Sequence, residues 1–386
     1  MVEALPYWLA HYFVFQNSTM KILFLGDASN YHRTLAEAMA EMGHEVTVAS
    51  HGSYWMNTKR DIDISRPSKG KIGGALLWLK LNTSLRNSFK GYDVVQICNP
   101  NFLDLRPHRI QEIFNRIKQS NGKIFLSALA TDSYFVEMCC MHNSPLKYSE
   151  WQIYGKPGPI INQKADWLQP VLSDHCKYIY DNIDGAITAL YEYELSVQRV
   201  LPSDMVAYGG IPINTRSITP HYIENIPEVI TLFLGRHSYR QAEKGTDIIE
   251  HVARAVVEKH PSRCRLEIVE NLPYEEYLAR MRNSHVVLDQ LYSYTPATNS
   301  LLAMAMGLNT LSGGEKEFYD FIGEHELQPI INAVPNEDVL FKTLEDMVLN
   351  PQLIAQRSRE GRMFVEKHND SNIVAQRFID FWQQKI

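Results

Sequence analysis

The chain reads as an α/β protein made of two tandem doubly wound, Rossmann-like domains facing across a cleft. Two observations predict this. From Met20 onward, short continuous apolar runs alternate with helical stretches, and strands separated in this way pair in parallel because parallel neighbours need a crossover connection. The alternation stops over residues 209–228 and then restarts, which divides the chain into two such units. The 386 residues, 45% hydrophobic and 21% charged, suffice for two cores and exclude fibrous or wholly disordered classes.

The first unit opens with KILFL over residues Lys21–Leu25, short and apolar throughout, as a strand buried on both faces must be. Leu35, Ala38, Met39 and Met42 follow at helical spacing, with Gly43 as a C-terminal stop. The HEVTVAS run then completes a βαβ unit. A strand at 93–98, a helix over 106–119, strands at 123–130 and 185–190 and a helix ending near Val200 extend it. Residues 137–180 carry Pro145, Pro157, Pro159 and Pro170 among many aromatics and read as an excursion forming part of a cleft wall.

Two glycines and three prolines without helical period mark 209–228 as the linker. Beyond it come a strand at 229–234, a helix over 244–259, a strand at 265–270, a helix through YEEYLARMR and a strand at 285–289. The runs SLLAMAMG, NTLS and PIINAV and C-terminal helices complete the unit. The last helix, 372–385, carries Ile373, Val374, Phe378, Ile379, Phe381 and Trp382 and must dock on another surface. The expected organisation is an extension at 1–19, a first domain at 20–208, the linker at 209–228, a second domain at 229–370 and a returning helix at 371–386. Within 1–19, Glu3 stands where an export signal would be cationic and Pro6 interrupts the apolar stretch, so no export is expected. That segment reads either as an upstream extension from a misassigned start at Met20 or as an ordered cap.

A net charge of -6 argues against a nucleic-acid partner. Five cysteines with no disulfide framework or zinc-ligand spacing place the protein in a reducing, cytoplasmic compartment. No apolar run reaches the roughly 18 to 20 residues of a spanning helix. The one local exception to the acidic balance is 59–90, where eight Lys and Arg stand against Asp61 and Asp63, a net +6. Beside these cations lies ALLWLKL. Such a stretch is either a solvated cationic loop followed by a helix buried in its own domain, or a peripheral contact with the inner face of a membrane.

In open α/β sheets ligands bind beyond the carboxyl ends of the strands, and the candidate residues fall there. In FLGRHSYRQAEKGTD a strand ends at Leu234, Gly235 allows a turn, Arg236 follows, and Lys244 and Gly245 open the next helix. Two cations beside a helix N-terminus form a receptor for a diphosphate. In 285–315 a strand ends at Asp289 and Gln290, and Thr298 or Asn299 can cap the following helix. The N–H groups of Asn299 and Ser300 then face the same crevice. In the first unit, 26–30 follows a strand without the GxGxxG fingerprint, and Asp132 follows another strand either as a functional group or as an ordinary loop residue.

Both second-unit segments resemble the donor half of GT-B glycosyltransferases, among them the nucleotide-sugar-dependent group 1, family 4-like enzymes of bacterial surface-polysaccharide assembly. The strand, Gly235, Arg236, short loop, Lys244 and Gly245 match one motif, and Ala303, Met304, Ala305, Gly307 and Leu308 match the frame of the second. KILFLGDASNYHRTLAEAMAEMGHEVTVAS and AYGGIPIN extend the likeness over nearly everything from Met20. Leu302 and Tyr294 stand where that family usually has glutamates, and Asn309 replaces a proline.

The resemblance implies GT-B architecture and transfer of a sugar from a nucleotide-sugar to a hydroxyl of a glycan or lipid-linked acceptor. Gly235, Arg236, Lys244, Gly245, Gln290, Thr298, Asn299, Ser300 and Glu315 would bind the donor. Asp132, Arg236 and Lys244 are the catalytic candidates, and Gly26, Asp27 and His32 lie on the acceptor side. No cofactor besides the donor substrate and no metal is expected, since the Asp-x-Asp at 61–63 is not at a strand end. A sugar-nucleotide epimerase or hydrolase, or an inactive nucleotide-sugar-binding protein, is the alternative on the same fold.

Overall fold

The computed structural model describes residues 19–53 and 56–386, so residues 1–18 of the proposed extension lie outside the described residues. The first unit runs β1 (Lys21–Leu25), α1 (Tyr31–Glu41), β2 (Glu45–Ser50), β3 (Ile62–Asp63), α2 (Gly70–Asn82), β4 (Val94–Ile97), α3 (Pro107–Ser120), β5 (Lys123–Ala128) and α4 (Ser133–Cys139). The excursion follows, made of an antiparallel hairpin, β6 (Gln152–Ile153) and β7 (Lys156–Pro157), then α5 (Lys164–Leu168) and α6 (Pro170–Tyr180). β8 (Gly185–Thr188), α7 (Tyr191–Val197) and β9 (Val206–Tyr208) complete the unit.

Its seven strands form one parallel sheet in the order β3-β2-β1-β4-β5-β8-β9. The central strands are buried on both faces, which is why they read as unbroken apolar runs. The edge strands β3 and β9 span two and three residues, too short to produce such a run.

The second unit runs β10 (Ile230–Arg236), α8 (Gln241–Lys244), α9 (Thr246–Lys259), β11 (Cys264–Glu270), α10 (Tyr274–Arg282), β12 (Val286–Leu288), α11 (Thr298–Ala305), β13 (Asn309–Ser312), α12 (Lys316–Ile322), β14 (Ile331–Asn332) and α13 (Glu337–Leu349). The chain ends in α14 (Gln352–His368) and α15 (Ser371–Gln383). Its sheet is parallel in the order β11-β10-β12-β13-β14. The helix expected over 244–259 is interrupted at Gly245, whose φ of 68° is left-handed. Lys244 therefore ends one short turn instead of opening the long helix.

The last helix packs on the first sheet. Phe381 lies 5.7 Å from the Phe125 ring and Trp382 6.2 Å from Phe24. The Trp382 indole donates to Gln96 Oε1 at 3.0 Å, and Gln96 donates to Ser127 Oγ at 2.8 Å. One contiguous core joins that face of the first sheet to Leu301, Met304, Phe318 and Phe364 of the second unit. Within the passage between the sheets, Ile213 N–H donates to the Asn369 carbonyl and Ser371 N–H to the Ile213 carbonyl, at 2.7 and 2.8 Å. The irregular passage is thus tied to the point where the chain crosses back to the first domain.

Candidate functional site

Four side chains converge beyond the carboxyl ends of β10 and β12. Lys244 Nζ lies 3.2 Å from Asp289 Oδ1, Ser300 donates to Asp289 Oδ2 at 2.7 Å, and Asn299 Nδ2 lies 3.5 Å from Asp289 Oδ1. Gly245 permits this: a Cβ there would come within 2.7 Å of Leu291, whose N–H donates to the Lys244 carbonyl at 2.9 Å. The loop bearing Gln290 is thereby stitched to the Lys-Gly turn. Neither Thr298 nor Asn299 caps α11. The cap position is Ala297, with no side-chain hydrogen bond, so the first-turn N–H groups keep their donor capacity.

Gly235 and Arg236 sit next to this cluster. A Cβ on Gly235 would meet the Tyr277 hydroxyl at 2.4 Å, and that hydroxyl donates to Asn299 Oδ1 at 2.8 Å. Arg236 does not share the Lys244 partner. Its guanidinium reaches Glu270 Oε2 through Nε (2.9 Å) and Nη2 (2.6 Å), and Glu250 Oε2 through Nη1 (2.8 Å). β10 and β11 place Arg236 directly opposite Glu270, and these carboxylates hold the guanidinium in its charged form. An incoming diphosphate would have to draw the arginine from two anions, whereas Lys244 faces one.

Glu315, at the cap position of α12, turns away from this cluster toward the first domain. Its Oε1 accepts from the Tyr148 hydroxyl at 2.7 Å and from Asn332 Nδ2 at 2.8 Å, and Lys147 Nζ lies 3.4 Å from its Oε2. Tyr294 is 1% exposed and accepts from the Lys147 N–H at 2.6 Å, with its ring 5.0 Å from Tyr148. Leu302 packs into the shared apolar core. The two positions where glutamates were expected from the family likeness are therefore apolar and aromatic packing positions.

A second cross-domain contact centres on Glu192, at the start of α7. Its Oε1 accepts from Ser293 Oγ (2.7 Å), Tyr294 N (2.5 Å) and Thr295 N (3.1 Å), and its Oε2 from Thr295 Oγ1 (2.6 Å). This carboxylate fills a complete anion receptor on the second domain. Glu150 is half-buried nearby. Burial, with the charges of Glu243 and Glu192, pushes its carboxyl up to about 8.

In the first domain, Gly26 brings the chain against Cys98, where a Cβ would meet Sγ at 2.3 Å. Asp27 is 2% exposed. One oxygen accepts from His32 N at 2.9 Å and the other takes no hydrogen bond among the described residues. Burial pushes this carboxyl up to about 6.

The His32 ring is fully buried, with Nδ1 2.7 Å from the Gly26 carbonyl and Nε2 2.9 Å from Ser127 Oγ. The carbonyl can only accept, so Nδ1 carries the proton. Nε2 then accepts from Ser127, whose oxygen receives Gln96. Burial lowers the imidazole to about 4, fixing this neutral tautomer. Asp132 caps α4 through Phe135 N at 2.8 Å and accepts from the Tyr180 hydroxyl, also at 2.8 Å. Both of its oxygens are thus committed within the first domain.

The structure brings Lys244, Asn299 and Ser300 together around Asp289, with Gln290 in the adjoining loop, and sets Gly235 and Arg236 beside them through Tyr277. Glu315 is assigned to the interdomain contact. Sequence reasoning missed Tyr277, Glu250, Glu270, Glu192, Lys147 and Tyr148. Glu270 alone left a signal, as an acid ending a predicted strand.

No protein-family model and no curated protein matches the chain. Solved structures do. Sucrose-phosphate synthase from Thermosynechococcus elongatus superposes with a TM-score of 0.61 at 13% identity, covering 94% of this chain and 98% of that one. Anabaena HepE, solved with UDP and glucose, gives 0.58 at 10% identity over 94% and 99%. A Listeria monocytogenes protein, assigned as a UDP-N-acetylglucosamine 2-epimerase, gives 0.53 at 10% identity over 94% and 95%. The chain has the GT-B fold.

Proposed function

We propose that the protein is a glycosyltransferase that moves a sugar from a nucleotide-sugar to a hydroxyl of a glycan or lipid-linked acceptor. The observation that carries this is the cluster of Lys244, Asn299, Ser300 and Asp289 at the carboxyl ends of β10 and β12, beside the uncapped first turn of α11. Such a cluster offers a cation, an amide donor and backbone N–H groups to a diphosphate, with Ser300 holding Asp289 in place. HepE, with the same fold, was solved with UDP and glucose, which supports a nucleotide-sugar as the donor class.

In the reaction the bond from the sugar to the diphosphate breaks, its electron pair leaves with the diphosphate oxygen, and the acceptor oxygen bonds to the sugar. Lys244, Arg236 and the N–H groups near Asn299 stabilise the developing negative charge, with no metal and no cofactor. Both ring nitrogens of His32 and both oxygens of Asp132 are committed. The proton acceptor on the acceptor side is then Asp27, a buried carboxyl that burial pushes up to about 6 and that has to become accessible as the acceptor binds. We place this activity in the cytoplasm, where five free cysteines persist.

A thermal-shift series with nucleoside diphosphates and sugar nucleotides tests the reading, because a ligand at 100 times its Kd stabilises by about 2.7 kcal/mol. No shift with any of them sinks it. The likeness to the Listeria protein favours epimerisation as the second reading. Acceptor-dependent glycoside formation selects transfer, whereas a changed sugar nucleotide with no acceptor selects epimerisation.

A further inference from the structure

Helix α2 (Gly70–Asn82) is apolar on two opposite faces, and only one is covered. Gly73, Gly74, Leu77 and Leu81 are buried against the first domain. On the other side Ile72, Leu76 and Leu79, at i, i+4 and i+7, are 72%, 46% and 57% exposed, with exposed Ala75 between them. This spacing puts three large aliphatic side chains in one stripe facing water.

Lys69 and Lys71 stand at the start of α2, and further cations precede and follow the helix in sequence. Lys59, Lys69, Lys71, Arg86 and Lys90 are exposed, and none forms an ion pair with a described residue. Asp63 is paired with Arg60 and Lys80 and Asp61 with Arg33, while Arg66 reaches Asp104, so the two acids of the segment are spent on other cations. Arg109 lies over the Trp78 ring at 5.1 Å and adds positive charge at the edge of the helix.

We infer that α2 and its flanking lysines dock the protein on an anionic lipid bilayer surface. The aliphatic stripe would enter the boundary between head groups and acyl chains, while Lys69 and Lys71 meet lipid phosphates, their stems lying along the apolar surface. Charge selects this occupant over a second copy. A two-fold contact through the same patch would bring the unpaired lysines of two copies together, whereas an anionic leaflet neutralises them.

The patch also adjoins the cleft. Arg66 Nε donates to the Asp104 carbonyl at 2.6 Å in the loop after β4, and that loop carries Phe102, whose carbonyl lies beside Gly26. The segment leading into α2 is therefore tied to the loop beside the Gly26 turn, at the acceptor-side rim of the proposed cleft. Delivery of a lipid-linked acceptor to that rim rests on the glycosyltransferase reading; the docking itself does not.

The test is co-sedimentation of the full chain with phosphatidylcholine vesicles containing about one quarter phosphatidylglycerol, against pure phosphatidylcholine, at low and high salt. The expected result is at least tenfold stronger binding to the anionic vesicles at low salt. That binding should fall at least tenfold in a Lys69→Glu/Lys71→Glu variant and in an Ile72→Ser/Leu76→Ser/Leu79→Ser variant. Both variants should keep the parent melting temperature and nucleotide binding, because the altered side chains face solvent.

Absence of binding, or binding indifferent to both variants, overturns the proposal. So does a dimer of the parent protein that the serine variant converts to monomer, which would assign the stripe to a second copy. Vesicle binding without any nucleotide binding would defeat the proposed activity and leave the docking intact.

Discussion

Tyr148 donates its hydroxyl to Glu315 across the interdomain boundary at 2.7 Å, joining the first-domain excursion to the cap of a second-domain helix 167 residues later. Lys147, its neighbour, reaches the same carboxylate and lies 2.5 Å from Glu317. Tyr148→Phe keeps the ring but removes a hydrogen bond to a charged acceptor, worth about 1.5 to 3 kcal/mol. The variant should populate more open arrangements, visible as a larger radius of gyration in solution scattering. An unchanged scattering curve and melting temperature would mean that the contact contributes nothing to closure.

Glu192 offers a sharper handle on the same boundary. Glu192→Gln leaves one acceptor oxygen and turns an NH2 group toward donors that previously shared a carboxylate, at a cost of about 1 to 3 kcal/mol. Amide hydrogen exchange at Tyr294 and Thr295 should speed up by roughly tenfold or more in that variant. Equal protection in the two proteins would contradict the assignment of those amides to Glu192.

Arg236 and Lys244 should respond differently to removal. Either alanine change is expected to weaken nucleoside diphosphate binding by about ten- to hundredfold, through loss of a charge-assisted contact. Only Lys244→Ala should also lower the melting temperature, because it strips the cation from Asp289, whose side chain is 1% exposed. Glu250 and Glu270 remain part-exposed when Arg236 is lost. Calorimetric titration with a melting curve separates the two effects, and full affinity in both variants would remove these cations from the site.

Asp27 and His32 titrate in opposition. Asp27 is raised to about 6, so its favourable contribution is complete below 3.8 and is lost as pH rises toward 6. His32 is lowered to about 4, so its contribution is complete above 6.5 and is lost as pH falls toward 4. Between pH 4 and 6 the two slopes nearly cancel. Asp27→Asn should expose the histidine alone, making stability climb by about 3 kcal/mol more than in the parent from the acid to the neutral end of that window. Denaturant midpoints at several pH values report this, and parallel curves for the two proteins would reject it.

The alternation of buried strands and helices was legible because strands such as Lys21–Leu25 and Val94–Ile97 are enclosed on both faces and need apolar side chains throughout. The two edge strands carried no such requirement and went unseen. Within the site, Gly245 was readable because its left-handed backbone restricts residue type locally, whereas Gly235, read as a turn, lies inside β10, where the close approach of Tyr277 excludes a side chain. Glu192 and Tyr148 were not, because the groups that give them meaning lie 101 and 167 residues away. The cap on α11 was misread for a related reason: threonine and asparagine favour cap positions, but Asn299 is held by Tyr277 from another helix.

The docking of α15 on the first sheet has a consequence for synthesis. Trp382 closes its hydrogen bond with Gln96 over a separation of 286 residues, so the amino-terminal sheet emerges from the ribosome long before the helix that covers one of its faces. During that interval Phe24 and Phe125 lack the Trp382 and Phe381 rings that cover them in the finished molecule. Such late, long-range closure slows folding and leaves apolar surface open to aggregation. The finished first sheet therefore waits through synthesis of the whole second unit for the helix that covers it, and premature termination even a few residues before Phe378 leaves that sheet uncovered.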